Sequence, residues 1–155
     1  MQRENVTITF NLDKALIRFN IVADEWPVDL FTKEIGIIPT EAYKKGDPFL
    51  RGNKSVKRFE TVWSLEKEFY LRYEDNEDEK IIEYLFEPLK SKVAIINEYR
   101  KKYKLTCLLF IHYQYYNAST PGIRLSPNVI SFANSINAMI DVYIDNTEVW
   151  VNETF

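Results

Sequence analysis

Between Lys104 and Tyr116 the chain places Leu105, Cys107, Leu109, Ile111 and Tyr113 on one set of alternate positions and Leu108 and Phe110 on the other. A strand that is apolar on both sides belongs in the middle of a sheet, so this segment predicts a central strand and commits the rest of the chain to building around it. The neighbouring patterns supply that surrounding. Val6, Ile8 and Phe10 alternate with polar residues, and Ala15, Ile17, Phe19 and Ile21 alternate again after Leu12-Asp13-Lys14, which reads as a hairpin. Arg58 to Phe69 reads as another strand, with Phe59, Thr61, Trp63 and Leu65 on one side. Ala138, Ile140, Val142 and Ile144 form one more, and Val149-Trp150-Val151 adds an edge segment.

Helical signals fall between these strands. Pro27 sits near the start of a short helix through Leu30, Phe31 and Ile35, and Gly36 ends it at the position where a left-handed backbone is needed. Ile82, Leu85, Leu89, Val93 and Ile96 keep helical spacing to about residue 101. Asn76 or Asp78 would cap that run, which ends in Arg100, Lys101 and Lys102 at the negative end of the helix dipole. Pro88 interrupts it, predicting one bent helix or two short ones with Pro88 in the first turn of the second. Ser126-Pro127 is an N-cap followed by proline at the first helical position, opening a helix whose Val129, Ile130, Phe132, Ala133 and Ile136 meet the sheet. Helices and strands mix without a strict βαβ repeat. The expected fold is α+β: a largely antiparallel sheet with three or four helices packed on it, in a single domain spanning residues 1–155.

Composition agrees with a packed globule. The 155 residues include ten Tyr, ten Phe and three Trp but only four Gly, so the core should be rich in rings. The start of the chain has no apolar leader and no uncharged stretch is long enough to span a bilayer, which predicts a cytoplasmic protein without membrane contact. A lone cysteine, Cys107, excludes an internal disulfide. The net charge of −3 is unevenly spread. Lys44, Lys45, Arg51, Lys54, Lys57 and Arg58 form a basic stretch, and Glu74, Asp75, Glu77, Asp78 and Glu79 an acidic one that helix capping accounts for.

The run Gly36-Ile-Ile-Pro-Thr40 continues into Tyr43-Lys-Lys-Gly-Asp47, and Trp63-Ser-Leu65, Pro121-Gly-Ile-Arg-Leu-Ser126 and Ile140-Asp-Val-Tyr143 follow in that order. This arrangement resembles the bacterial family of unknown function DUF4279 over about residues 17–144. The resemblance implies a small single-domain protein of unassigned activity and brings no catalytic residues with it. The strand before Ala15 and the tail after Asp145 stand outside the family pattern as this chain's own additions.

Two readings of the motif residues are open. In one they are architecture: Gly36 caps a helix, Gly46-Asp47-Pro48 makes a turn and Trp63 packs a helix end on the sheet. In the other, Tyr43, Lys45, Asp47 and Trp63 rim a groove beside loop 37–58, where Arg51, Lys54 and Arg58 meet an anion.

Catalytic chemistry finds little support. Cys107 and His112 are the sole thiol and imidazole, and five positions apart on one strand they point to opposite faces, roughly 16 Å apart along it. One Cys and one His cannot assemble a structural zinc site, and no phosphate-binding loop or nucleophile elbow is present, so no metal or cofactor is expected. Asp141 and Asp145 share a strand face and leave acid/base work or cation binding open.

The expected function is therefore a non-enzymatic protein-interaction domain with a basic partner, such as a toxin neutralised by an immunity protein, since complementary fields speed association. The alternative is a small-molecule sensor or enzyme using the groove beside loop 37–58. Nucleic-acid binding through Lys44, Lys45, Lys54, Lys57 and Arg58 is opposed by the overall acidity. A homodimer through the edge at Val149-Trp150-Val151 is also open.

Overall fold

The computed structural model describes residues 13–70, 77–116 and 122–146. Its elements are β1 (Lys14–Ala23), α1 (Val28–Ile35), β2 (Glu41–Tyr43), β3 (Pro48–Arg51), β4 (Lys54–Lys57), β5 (Thr61–Tyr70), α2 (Glu77–Lys90), α3 (Val93–Tyr103), β6 (Thr106–Tyr115), α4 (Pro127–Ser135) and β7 (Met139–Asn146). The expected strand at residues 6–10, the cap at Asn76 and the edge segment at 149–151 lie outside the described residues.

The fold is α+β, as expected. β1 occupies the centre of a five-stranded sheet ordered β2-β5-β1-β6-β7, and β3 and β4 form a separate hairpin. Every neighbour in the main sheet is antiparallel except β6 and β7, which run parallel. A parallel pair needs a long crossover, and α4 lies in the connection.

Period-two alternation decides which side the helices cover. Ile17, Phe19 and Ile21 of β1, Trp63 of β5, and Cys107, Leu109 and Ile111 of β6 are buried on one face, in a register that pairs Phe19 with both Leu65 and Leu109. A slip of one residue in any of these strands would turn its apolar set away from the core. Onto this face pack Phe31 and Ile35 of α1, Ile82, Phe86 and Leu89 of α2, Ile96 and Tyr99 of α3, and Phe132 and Ile136 of α4. The rings interlock edge to face: Phe19 meets Phe86 at 5.9 Å and Phe132 at 6.4 Å, and Phe31 meets Trp63 at 5.5 Å.

The local signals at helix ends are realised. Gly36 takes φ 69° and its N–H bonds the carbonyl of Thr32, a conformation that costs other residues about 1–2 kcal/mol. Ser126 Oγ accepts from the Val129 N–H, with Pro127 opening α4.

Several expectations change. The segment 37–58 is not a bare loop but holds β2, β3 and β4. β5 begins at Thr61 and leaves Phe59 77% exposed, because Arg58 is tied back: its N–H bonds the Asp47 carbonyl and its own carbonyl accepts from Gly46, each at 2.8 Å. Of the two alternatives for the run, two helices are found, but Pro88 lies inside α2, close to its end, rather than in the first turn of α3. The chain stays helical that far because Leu89, fully buried, must reach the core. Asp78 falls within α2. Ile130 is 52% exposed, on the outer side of α4. β6 is interior to the sheet, but among the described residues helices cover one face of it only, with Leu108 and Phe110 half-buried on the other.

The two tryptophans among the described residues, both buried, differ in their hydrogen bonding. Trp26 Nε1 donates to the Thr61 carbonyl at 2.9 Å, whereas Trp63 Nε1 has no partner among the described residues. Losing a buried hydrogen-bond partner costs about 1–3 kcal/mol, while removing an unpaired donor recovers its desolvation. Trp26→Phe should therefore destabilise the domain by about 2 kcal/mol and Trp63→Phe by less, the recovered term offsetting lost packing. Urea unfolding of both variants tests the order, and a larger loss for Trp63→Phe would contradict it.

Candidate functional site

The face of the sheet turned away from the helices presents the alternate residues of the same strands. At one end β1, β2, β5 and β6 enclose a cleft of about 410 Å³ lined by Arg18, Asn20, Val22, Glu41, Tyr43, Glu60, Val62, Ser64, Thr106 and Leu108. That volume lies within the range of small-molecule sites. Its floor is polar because these positions alternate with the core set: Arg18 and Asn20 fall between Ile17, Phe19 and Ile21, and Ser64 follows Trp63.

Most charges at the cleft are already answered. The Arg18 guanidinium bridges Glu66, and Arg58 reaches Glu41 at 3.0 Å. The Arg58 guanidinium also sits over the Tyr43 ring at 3.8 Å and the Phe49 ring at 4.2 Å, so one cation ties the β3–β4 hairpin to β2. Ser64 Oγ donates to Asn20 Oδ1. The Tyr43 hydroxyl is held above its ordinary pKa, chiefly by burial, with Arg58 opposing and Glu60 and Glu41 reinforcing; it stays a neutral donor at ordinary pH. Glu60 alone among the charged lining residues has no ion-pair partner among the described residues.

The six residues singled out from sequence do not converge. Tyr43 lines the cleft. Lys45 is drawn to Asp24, at 2.6 Å, and Asp47 accepts from the Lys44 N–H at 2.8 Å within its turn. Arg51 and Lys54 face each other at the exposed end of the hairpin. Trp63 is 0% exposed on the helix side, packed on Phe31, and cannot rim a groove. Arg18, Asn20, Glu60 and Ser64 were not singled out, although for Arg18, Asn20 and Ser64 the polar half of an alternating strand was the available signal.

Next to the cleft, where Phe110 pairs with Arg18, the Phe110 ring lies 5.2 Å from Tyr143 and 6.1 Å from His112, whose Nε2 is 2.6 Å from Asp145. Asp141 shares this face with Asp145. Cys107 points the opposite way into the core, where burial pushes its thiol up to about 12. The thiol and imidazole are thus on different faces of the sheet.

The arrangement defines a small α+β domain whose sheet, among the described residues, is roofed on one side and open on the other. The family model described as a domain of unknown function, DUF4279, matches residues 13–147, and the chain belongs to that family. None of the curated proteins and none of the solved structures matches it. Among the described residues no helix is long and apolar enough to cross a membrane.

Proposed function

We propose that this chain is a non-enzymatic binding domain that takes a basic protein partner on the open face of its sheet, as an inhibitor of a basic toxin would. The observation that carries this reading is the one-sided roof: among the described residues four helices cover one face, and the other offers half-buried Phe110 and Tyr43 with Tyr143 53% exposed. Aromatic side chains flanked by charge are the anchors that protein interfaces favour. The carboxylates Glu41, Glu60, Glu66, Glu68, Asp141 and Asp145 outnumber the cations Lys14, Arg18 and Arg58 around this face, and the chain as a whole carries −3. Such a field steers a basic partner toward it. A second reading, a small-molecule sensor, draws on the cleft volume of about 410 Å³.

Capture from a lysate of the source organism with matched variants tests the primary reading. Asp141→Arg combined with Tyr143→Ala should cut retention of a basic partner by about tenfold or more, while Ile130→Ala, on the outer side of α4, should leave it unchanged. Equal retention by all three proteins would remove the open face from consideration.

A further inference from the structure

Resting on the reading of the open face as the recognition surface, we propose that the cleft between β2, β5, β1 and β6 is a socket for a single lysine or arginine side chain presented by the partner. The charge balance of its walls selects the sign. Arg18 is answered by Glu66 and Glu41 by Arg58, so the carboxylate left over is Glu60. A half-buried anion without a counter-charge among the described residues favours a cation brought by a ligand.

The shape of the lining selects the rest. Val22, Val62 and Leu108 supply apolar wall for an alkyl stem, as long basic side chains require when only their head is polar. Ammonium and guanidinium groups are donors without acceptors, and the cleft holds acceptors for them: the Glu60 carboxylate, the Thr106 hydroxyl and the Ser64 oxygen, whose own proton is committed to Asn20. The Tyr43 ring, which carries the Arg58 guanidinium on its face, is an aromatic surface of the kind that attracts cations. An anion would meet Glu60 and Glu41, and a neutral polyol would leave Glu60 uncompensated.

The test is a titration of the isotopically labelled full chain, followed through its amide resonances. Nα-acetyl-lysine methylamide should give saturable shifts at Val22, Glu60, Val62 and Ser64 in the millimolar range, about what one side chain can supply. Nα-acetyl-norleucine methylamide, with the same four-carbon stem but no ammonium group, should not, and Glu60→Gln should weaken the lysine compound about tenfold. Equal shifts from the norleucine compound, an unchanged affinity in Glu60→Gln, or no shifts at these residues would each overturn the socket. Binding of 1,5-diaminopentane tenfold tighter than the lysine compound would overturn the protein source in favour of a free polyamine. If the amine titration fails while Asp141→Arg with Tyr143→Ala still abolishes capture, the socket falls alone; capture insensitive to that variant brings down the open-face reading as well.

Discussion

Phe31→Ala should cost the domain about 3–5 kcal/mol, the range for emptying a large aromatic site in a packed core. Phe31 is 0% exposed, and its ring is met edge on by Trp26 at 5.4 Å, Trp63 at 5.5 Å and Tyr99 at 5.0 Å. Those neighbours come from the turn before α1, from β5 and from α3, so the ring is the joint at which helix layer and sheet meet. Alanine removes the transfer energy of the side chain and leaves a void that large, stiff rings cannot close, because each is fixed by its own contacts. Trp26 is tethered to Thr61 and Tyr99 to Glu34, which opposes collapse into the gap. Against a total stability of about 5–15 kcal/mol such a loss is severe, and it should lower the thermal midpoint by roughly 6–20 °C. Leu30→Ala, one residue away on the same helix but 46% exposed, should change stability by about 0.5 kcal/mol or less. Calorimetry of the two variants decides the matter. A loss below about 1 kcal/mol for Phe31→Ala would mean that the rings repack and that the joint is not where the contacts place it.

What the sequence carried legibly was everything set by a local rule. Gly36 stops α1 because only glycine enters the left-handed region without penalty, and Ser126-Pro127 starts α4 through one hydroxyl and one missing N–H. The long strands were legible because eight to ten residues of alternation leave little ambiguity. The short strands β2, β3 and β4 were not. Three or four residues carry no usable period; β2 is set by a contact distant in sequence, Glu41 opposite Ser64, and β3 and β4 pair only with each other, as a separate hairpin. The parallel setting of β7 was hidden for the same reason, since direction depends on the crossover and not on the strand. Of the two readings open for Trp63, packing a helix on the sheet holds and rimming a groove does not, because a tryptophan on an alternating strand names a face but not which face the helices cover. Of the site, Tyr43 was visible through its motif, whereas Arg18, Asn20 and Ser64 looked like the ordinary solvated side of strands. They become a cleft only because β2 and Glu60 close one end of the open face. Glu60, at the corner before β5, had no pattern to mark it.

Raising the pH above about 9 should destabilise the domain steeply, with Cys107 as a principal cause. Its thiol, ordinarily near 9.0, is pushed up to about 12 by burial, with Arg100 pulling weakly the other way. In the unfolded chain the thiol loses its proton first, so above pH 9 the unfolded state binds fewer protons than the folded one and stability falls as pH rises. The contribution is fully present below about pH 9 and is lost progressively between 9 and about 12. Three pH units at about 1.4 kcal/mol each give a loss on the order of 4 kcal/mol. Tyr99 acts with the same sign, its hydroxyl raised chiefly by burial and then by the bond it donates to Glu34 at 2.6 Å. The exposed Lys44 and Lys45, raised by their bonds to Asp29 and Asp24, also lose favourable pairing as they deprotonate, so wild type alone does not isolate the thiol. The comparison with Cys107→Ala does: the variant should be weaker at pH 7 by about 1–2 kcal/mol, from the lost sulfur, yet fall less steeply between pH 9 and 11. Denaturant unfolding at intervals of half a pH unit gives both curves. The same burial should keep Cys107 from reacting with a thiol reagent at pH 8 until urea unfolds the chain. Parallel curves for the two proteins, or labelling as fast in the folded state as in urea, would place Cys107 at the surface and overturn the packing of β6 against the helices.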